Sequence, residues 1–293
     1  MLTNPGLTRC ILNKRQLATH QHPVVLLRPP GRFTRLNLGD LWEYRDLLYF
    51  LVWRDIKVRY KQTALGAAWA ILQPLLTMIV FSVFFGRLAK VPSDGIPYPV
   101  FTYAALLPWQ LFAYAMTEAG NSLVGSQNLI TKVYFPRLVI PVAAVLGGLV
   151  DFGVSFVVLL LLMIGYGITP TIAVLTIPLF IVLAIATALA VGLWLAALNV
   201  KYRDVRYTIP FLTQFWLFLT PVAYSSSLVP AKWRAIYGLN PMAGVVEGFR
   251  WALLGRKEAP GLMLAVSVII VAALLTGGLY YFRRTEASFA DTI

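Results

Sequence analysis

The stretch from Ile168 to Val200 reads ITPTIAVLTIPLFIVLAIATALAVGLWLAALNV and carries no ionisable group along its length. A hydrocarbon core about 30 Å thick is crossed by roughly 20 apolar helical residues at about 1.5 Å rise each. This segment therefore predicts a transmembrane helix and makes lipid the solvent. Working outward, apolar runs predict spans at Ala67 to Gly86, Val100 to Val124, Leu138 to Gly165, Ile172 to Val200, Ile209 to Tyr224 and Gly261 to Phe282. The fold class expected is an all-α integral membrane protein with six transmembrane helices per subunit.

Composition agrees, because 59% hydrophobic against 13% charged residues in 293 is too apolar for soluble domains. A net charge of +13 raises the question of nucleic acid, but the basic residues sit in the N-terminal tail and the short loops between apolar runs. That is the placement membrane topology calls for, so nucleic acid is not an expected partner. Lone Cys10 has no intrachain partner for a disulfide. The opening MLTNPGLTRCILNKRQLATHQH holds no signal-peptide core, so the leader is expected to stay inside.

Orientation follows from Lys and Arg. Eleven precede the first predicted span, and Lys132, Arg137, Lys201, Arg203, Arg206, Arg283 and Arg284 share their side, giving eighteen. Seven lie opposite: Arg87, Lys90, Lys232, Arg234, Arg250, Arg256 and Lys257. The excess predicts both termini in the cytoplasm.

Before the first span, LGDLWEYRDLLYFLVWRDIKVRYKQT reads as an amphipathic helix, with Leu48, Val52 and Ile56 on one face and Arg54, Lys57 and Lys61 on the other. It is expected along the membrane surface, facing anionic lipid, with Asp55 pairing Arg59 four residues on; a plain juxtamembrane anchor fits the same pattern. Between the fifth and sixth spans, the Pro- and Gly-broken segment ending in MAGVVEGFRWALLG is too short to cross and too apolar for a solvated loop. It reads as a re-entrant helical hairpin or as a helix on the outer surface.

Chemistry is sparse. No G-x-x-x-x-G-K-[ST] occurs, so ATP-driven work would fall to a partner. His20 and His22 both precede the membrane segments, which leaves no histidine for a metal site or general base within the bilayer, and no catalytic residue or metal site is expected. Asp151 near the middle of the third span and Glu118 in the second are costly in lipid unless paired or hydrated, for example with Arg250 or a backbone donor. Either is a functional candidate or a structural one. Aromatic rings on or near the spans (Trp69, Phe81, Phe84, Trp109, Phe112, Trp216 and Tyr224) suit sugar faces, interfacial belts or plain core.

At Leu51 to Gly86 the string LVWRDIKVRYKQTALGAAWAILQPLLTMIVFSVFFG resembles the start of the membrane domain in ABC-2 type permeases that export polysaccharides. NLITKVYFPRLVIPVAAVLGGLVDF from Asn128 to Phe152 is a second match, and LNVKYRDVRY from Leu198 to Tyr207 a weaker third. The resemblance implies a cytoplasmic leader at 1–37, an interface helix at 38–62, a transmembrane domain at 63–282 and a cytoplasmic tail at 283–293. It implies a homodimer with two copies of a nucleotide-binding ATPase that holds ATP and Mg. The cargo would be a lipid-linked polysaccharide such as O antigen, capsule or teichoic acid, moved across the bacterial inner membrane.

Residue by residue, the resemblance makes Asn128, Lys132, Tyr134, Phe135, Pro136 and Arg137 the ATPase-coupling segment, with Tyr202, Arg203 and Asp204 a second contact. Read as bare sequence, the same loop is equally a lipid-facing turn. Trp53, Arg54, Asp55, Lys57, Arg59 and Tyr60 would belong to the interface helix. The aromatic candidates and Asp151 would line the channel, and Asn240, Glu247 and Arg250 would form a periplasmic gate. The rival expectations are a drug or small-lipid exporter of the same superfamily, an ion-coupled secondary transporter, and a membrane-embedded transferase. The transferase would need clustered acids or histidines, which the sequence lacks.

Overall fold

Apolar runs long enough to close their own backbone hydrogen bonds become helices, and every element of the described chain is one. The computed structural model describes residues 39–61, 66–255, 259, 261–286 and 289. The leader to residue 38, with Cys10, His20 and His22, lies outside them, as do Arg256, Lys257 and the tail beyond Phe289. A short α1 (Gly39–Glu43) leads into α2 (Arg45–Lys61). Then come α3 (Gly66–Phe81), which ends in a π-helical stretch at Ser82–Leu88, and α4 (Tyr98–Gly125). Next are α5 (Gln127–Lys132), α6 (Val139–Gly165), α7 (Ile177–Lys201) and α8 (Val205–Leu219). The chain closes with α9 (Ala231–Tyr237), α10 (Pro241–Leu254) and α11 (Gly261–Thr285).

Among the described residues, four segments are long and apolar enough to cross a membrane: Ala68–Leu88, Val139–Gly165, Ile172–Lys201 and Gly261–Thr285. The other two predicted spans fall on helices that are more polar or shorter than these. Helix α4 has 28 residues but carries Gln110, Thr117, Glu118 and Asn121. It is the innermost helix, packed against α3, α6, α7, α8 and α10. Helix α8 has only 15 residues, about 22 Å of length.

Close approach of α4 and α7 depends on Gly192, where a Cβ would stand 2.6 Å from the Ala119 methyl. At the end of this pair, Asn199 Nδ2 donates to Gly120 O at 3.0 Å and to Asn121 Oδ1 at 3.2 Å. This bond brings the C-terminal ends of α4 and α7 together with the loops that follow them. Helix α2 packs lengthwise on α6: Leu51 faces the same recess as Ile140 and Ala143, and Arg59 reaches Asp151 further along.

Prolines inside helices leave carbonyls without donors. Pro74 in α3 removes the amide that would serve the Ala70 carbonyl, and Ser155 of α6 supplies the missing donor at 2.8 Å. A sequence defect in one helix thus becomes the bond that fastens it to another.

Candidate functional site: a polar groove and two capped ends

A groove of about 570 Å³ runs between α3, α4, α6 and α8. Its walls are rows at i, i+4 spacing, which stack on one helix face. Helix α3 contributes Trp69, Gln73, Thr77 and Phe81; α4 contributes Trp109, Gln110, Tyr114 and Glu118. Helix α6 adds Asp151, Phe152 and Ser155, and α8 adds Thr213 and Gln214. Of the aromatic candidates, Trp69, Phe81 and Trp109 lie on this surface with Asp151.

The others lie elsewhere. Phe84 is 58% exposed on the π-helical end of α3, outside the lining. Phe112 is fully buried, with its ring edge-on to Trp216 at 5.1 Å. Trp216 Nε1 donates to Asn240 Oδ1 at 2.9 Å, and the Tyr224 hydroxyl bonds that of Tyr237 at 2.6 Å. These rings brace the far end of α8. The groove amides and hydroxyls were missed by a reading that looked for charges and rings; the i, i+4 rows beginning at Trp69 and Gln110 were the available signal.

At one end of the groove Arg59 ion-pairs with Asp151, and the Tyr60 hydroxyl donates to the same carboxylate. The Arg59 guanidinium lies over the Tyr114 ring, 4.0 Å from its centroid. That ring has room because residue 148 is glycine: a Cβ there would meet Tyr114 Cδ1 at 2.6 Å. Burial, then the bond to Asp151, push the Tyr60 hydroxyl above its ordinary ionisation range, so it remains a donor. Two expected pairings are thereby corrected. Asp55 accepts from Arg54 at 2.8 Å, leaving Arg59 to Asp151, and the partner of Asp151 is this pair rather than Arg250. The physical reason is packing: α2 lies along α6, so its last turn reaches across helices.

Beyond Arg59 the loop from α4 to α6 combines a buried anchor with an exposed strip. Phe135 is 5% exposed in a cluster with Leu51, Ile130 and Leu138, whereas Tyr134 is 73% exposed beside exposed Asn128 and Lys132. Pro136 follows, and Arg137 turns inward. Its guanidinium donates to the Glu286 carbonyl and lies 6.0 Å from the Phe289 ring, while its backbone N–H donates to Glu286 Oε1 at 2.9 Å. Arg137 was expected to offer its charge to a partner; it fastens the loop to the end of α11. Tyr202, Arg203 and Asp204 are exposed in the α7–α8 turn, on the end that Asn199 defines. On α2, Trp53 and Lys57 point outward beside exposed Tyr49, Phe50 and Val58.

At the opposite end Arg250 is fully buried yet saturated with acceptors. It donates to the carbonyls of Phe101, Pro221, Val222 and Tyr224 at 3.3, 2.6, 2.7 and 3.1 Å, and to Glu247 Oε1 at 3.0 Å. The chain leaving α8 is irregular, its carbonyls need donors, and one guanidinium supplies them. Asn240 caps α10 by accepting from Met242 N–H at 3.1 Å and donates to Leu219 O and Thr220 Oγ1, both at 3.1 Å. Nearly every residue of α10 is buried, including Gly248, where a Cβ would fall 2.1 Å from the Phe180 ring.

A helical membrane protein whose polar groove lies between two differently capped ends has the architecture of a permease. The chain belongs to the ABC-2 type transporter family, whose pattern it matches over residues 46–254. It is 32% identical over 259 residues to the O-antigen export system permease protein RfbA of Myxococcus xanthus, covering 87% of this chain and 98% of the relative. It is 30% identical to the RfbA permease of Klebsiella pneumoniae, over 88% and 98% of the two chains. It is 24% identical to the polysialic acid transport protein KpsM of Escherichia coli, over 80% and 91%.

Proposed function

We propose that this chain is the membrane permease subunit of an ABC exporter that moves lipid-linked polysaccharide, O antigen or capsular polysaccharide, across the bacterial inner membrane. The observation that carries the reading is the groove. Rings beside amides and hydroxyls, set among lipid-crossing helices, match the apolar faces and hydroxyl rims of sugars. Relatives named for O-antigen export that align over nearly their whole length support it.

In this reading α3, α4, α6, α7, α8 and α11 cross the bilayer and both termini are cytoplasmic. Helices α9 and α10 form a re-entrant hairpin at the periplasmic face, a reading supported by both ends of α10 bonding to one side of the bundle: Asn240 at its start to Leu219 at the end of α8, and Ala252 near its end to Thr171 just before α7. The outward rings of α2, with Lys57 and Lys61 among them, meet lipid headgroups. A homodimer joins two grooves into one path, and Asn240, Glu247 and Arg250 hold its outer mouth.

Two ATPase subunits, which bind the ATP and Mg, dock on the exposed strip Asn128, Lys132 and Tyr134 and on the turn Tyr202 to Asp204. Phe135 and Arg137 transmit their movement by fastening that strip to the core. The Arg59–Asp151 pair passes displacement of α2 to the groove wall. This subunit performs no covalent chemistry; the free energy comes from the partner.

The test is deletion of the gene followed by separate assay of surface polymer and of lipid-linked polymer inside the cell. Surface polymer should disappear while the internal pool accumulates, and Lys132→Glu with Tyr134→Ala should restore permease levels but neither export nor co-purified ATPase. Unchanged surface polymer in the deletion strain would sink the reading.

A further inference from the structure

Polymers of this general class are either neutral or polyanionic, and the groove distinguishes between them by charge. Among the described residues its charged lining is one guanidinium, Arg59, against two carboxylates, Asp151 and Glu118, a formal net charge of −1. Arg59 is already engaged by Asp151 and by the Tyr114 ring. Glu118 is exposed to the groove. The rest of the polar lining is uncharged, with Gln73, Gln110 and Gln214 offering both donors and acceptors.

Resting on the polysaccharide-export reading, we infer that the cargo segment that occupies this groove is an uncharged glycan, and that Glu118 excludes polyanions. A carboxylate on each successive sugar would need a cation at close range, since charge taken out of water is stable only when paired. Among the described residues this lining supplies no cation beyond Arg59, and it adds the repulsion of Glu118. Neutral sugars require what is present: amides that donate and accept, and the exposed ring of Trp69 for the apolar face of a pyranose, with buried Trp109 behind the wall.

Trp69 and Trp109 also report on the groove. Purified permease in detergent is titrated at low ionic strength with neutral mannose hexamer and, separately, with α2,8-linked sialic acid hexamer, following tryptophan emission. The mannose hexamer should change the emission with at least tenfold tighter apparent affinity, and Trp69→Phe with Trp109→Phe should remove most of the signal. Glu118→Lys should raise affinity for the sialic acid hexamer at least fivefold.

Equal or tighter binding of the sialic acid hexamer by the unaltered protein overturns the inference and leaves polysaccharide export standing. No response of either tryptophan to either sugar removes the groove as a sugar site and sinks both. An unchanged sialic acid affinity in a folded Glu118→Lys protein overturns Glu118 as the excluding group, with size-exclusion elution confirming the fold.

Discussion

Arg250 shows how much one buried side chain can hold. Four carbonyls and a carboxylate converge on its guanidinium, which also lies 3.6 Å from the Phe101 ring centroid. Lysine cannot reproduce that planar fork. Removing one partner of a buried ion pair costs about 3–5 kcal/mol, so Arg250→Ala should yield little monodisperse protein and Arg250→Lys should melt well below the parent in detergent. Full yield and an unchanged melting curve for Arg250→Ala would refute the saturated geometry. At Asp151 the consequence is milder, because its side chain and that of Arg59 are each about one-third exposed and partly screened. Asp151→Asn keeps an acceptor for Tyr60 and should preserve the fold while loosening α2, read as faster proteolysis near Lys61.

At the scale of elements, the Pro74–Ser155 junction can be measured by a double-mutant cycle. Ser155→Ala strips the Ala70 carbonyl of its donor and should cost roughly 1–2 kcal/mol. In a Pro74→Ala background the amide of residue 74 serves that carbonyl, and the cost of Ser155→Ala should fall close to zero. Equal costs in both backgrounds would show that Ser155 does not compensate for the proline. The α5 loop gives a second element-scale prediction. Arg137→Glu should free the loop, because it removes the donor to the Glu286 carbonyl and sets a second carboxylate beside that of Glu286, and ATPase co-purification should fall; adding Glu286→Gln should relieve the repulsion and recover part of it. Only part is recoverable, because the guanidinium bond to the Glu286 carbonyl stays lost.

For the whole molecule, the ends are set apart by their loops. One end gathers the α4–α6 loop, the α7–α8 turn and the end of α11; the other gathers the start of α4, the chain after α8 and the start of α10. With Cys10 replaced by serine, a cysteine at Tyr134 should react with a membrane-impermeant maleimide only in permeabilised cells. A cysteine at Ile236, which is 52% exposed, should react in intact cells. The reverse pattern would invert the topology proposed from the Lys and Arg bias.

What was legible in the sequence is the part written in single residues and their periods. Uninterrupted apolar length dictated helices that cross lipid, because an unpaired backbone is too costly there. The helical fold and the neighbourhood of Glu247 and Arg250 three residues apart follow from local spacing, whereas the burial of Phe135 in the chain's own core does not. The partners of Arg59, Asp151, Arg137 and Arg250 did not. Each is chosen by which helix lies alongside, and helix packing is decided by the close approaches at Gly148, Gly192 and Gly248 together with the carbonyls that prolines and broken chain leave unsatisfied. The groove likewise exists only once four helices face one another: Gln73, Gln110 and Gln214 are isolated polar residues in the sequence and a common surface in the fold.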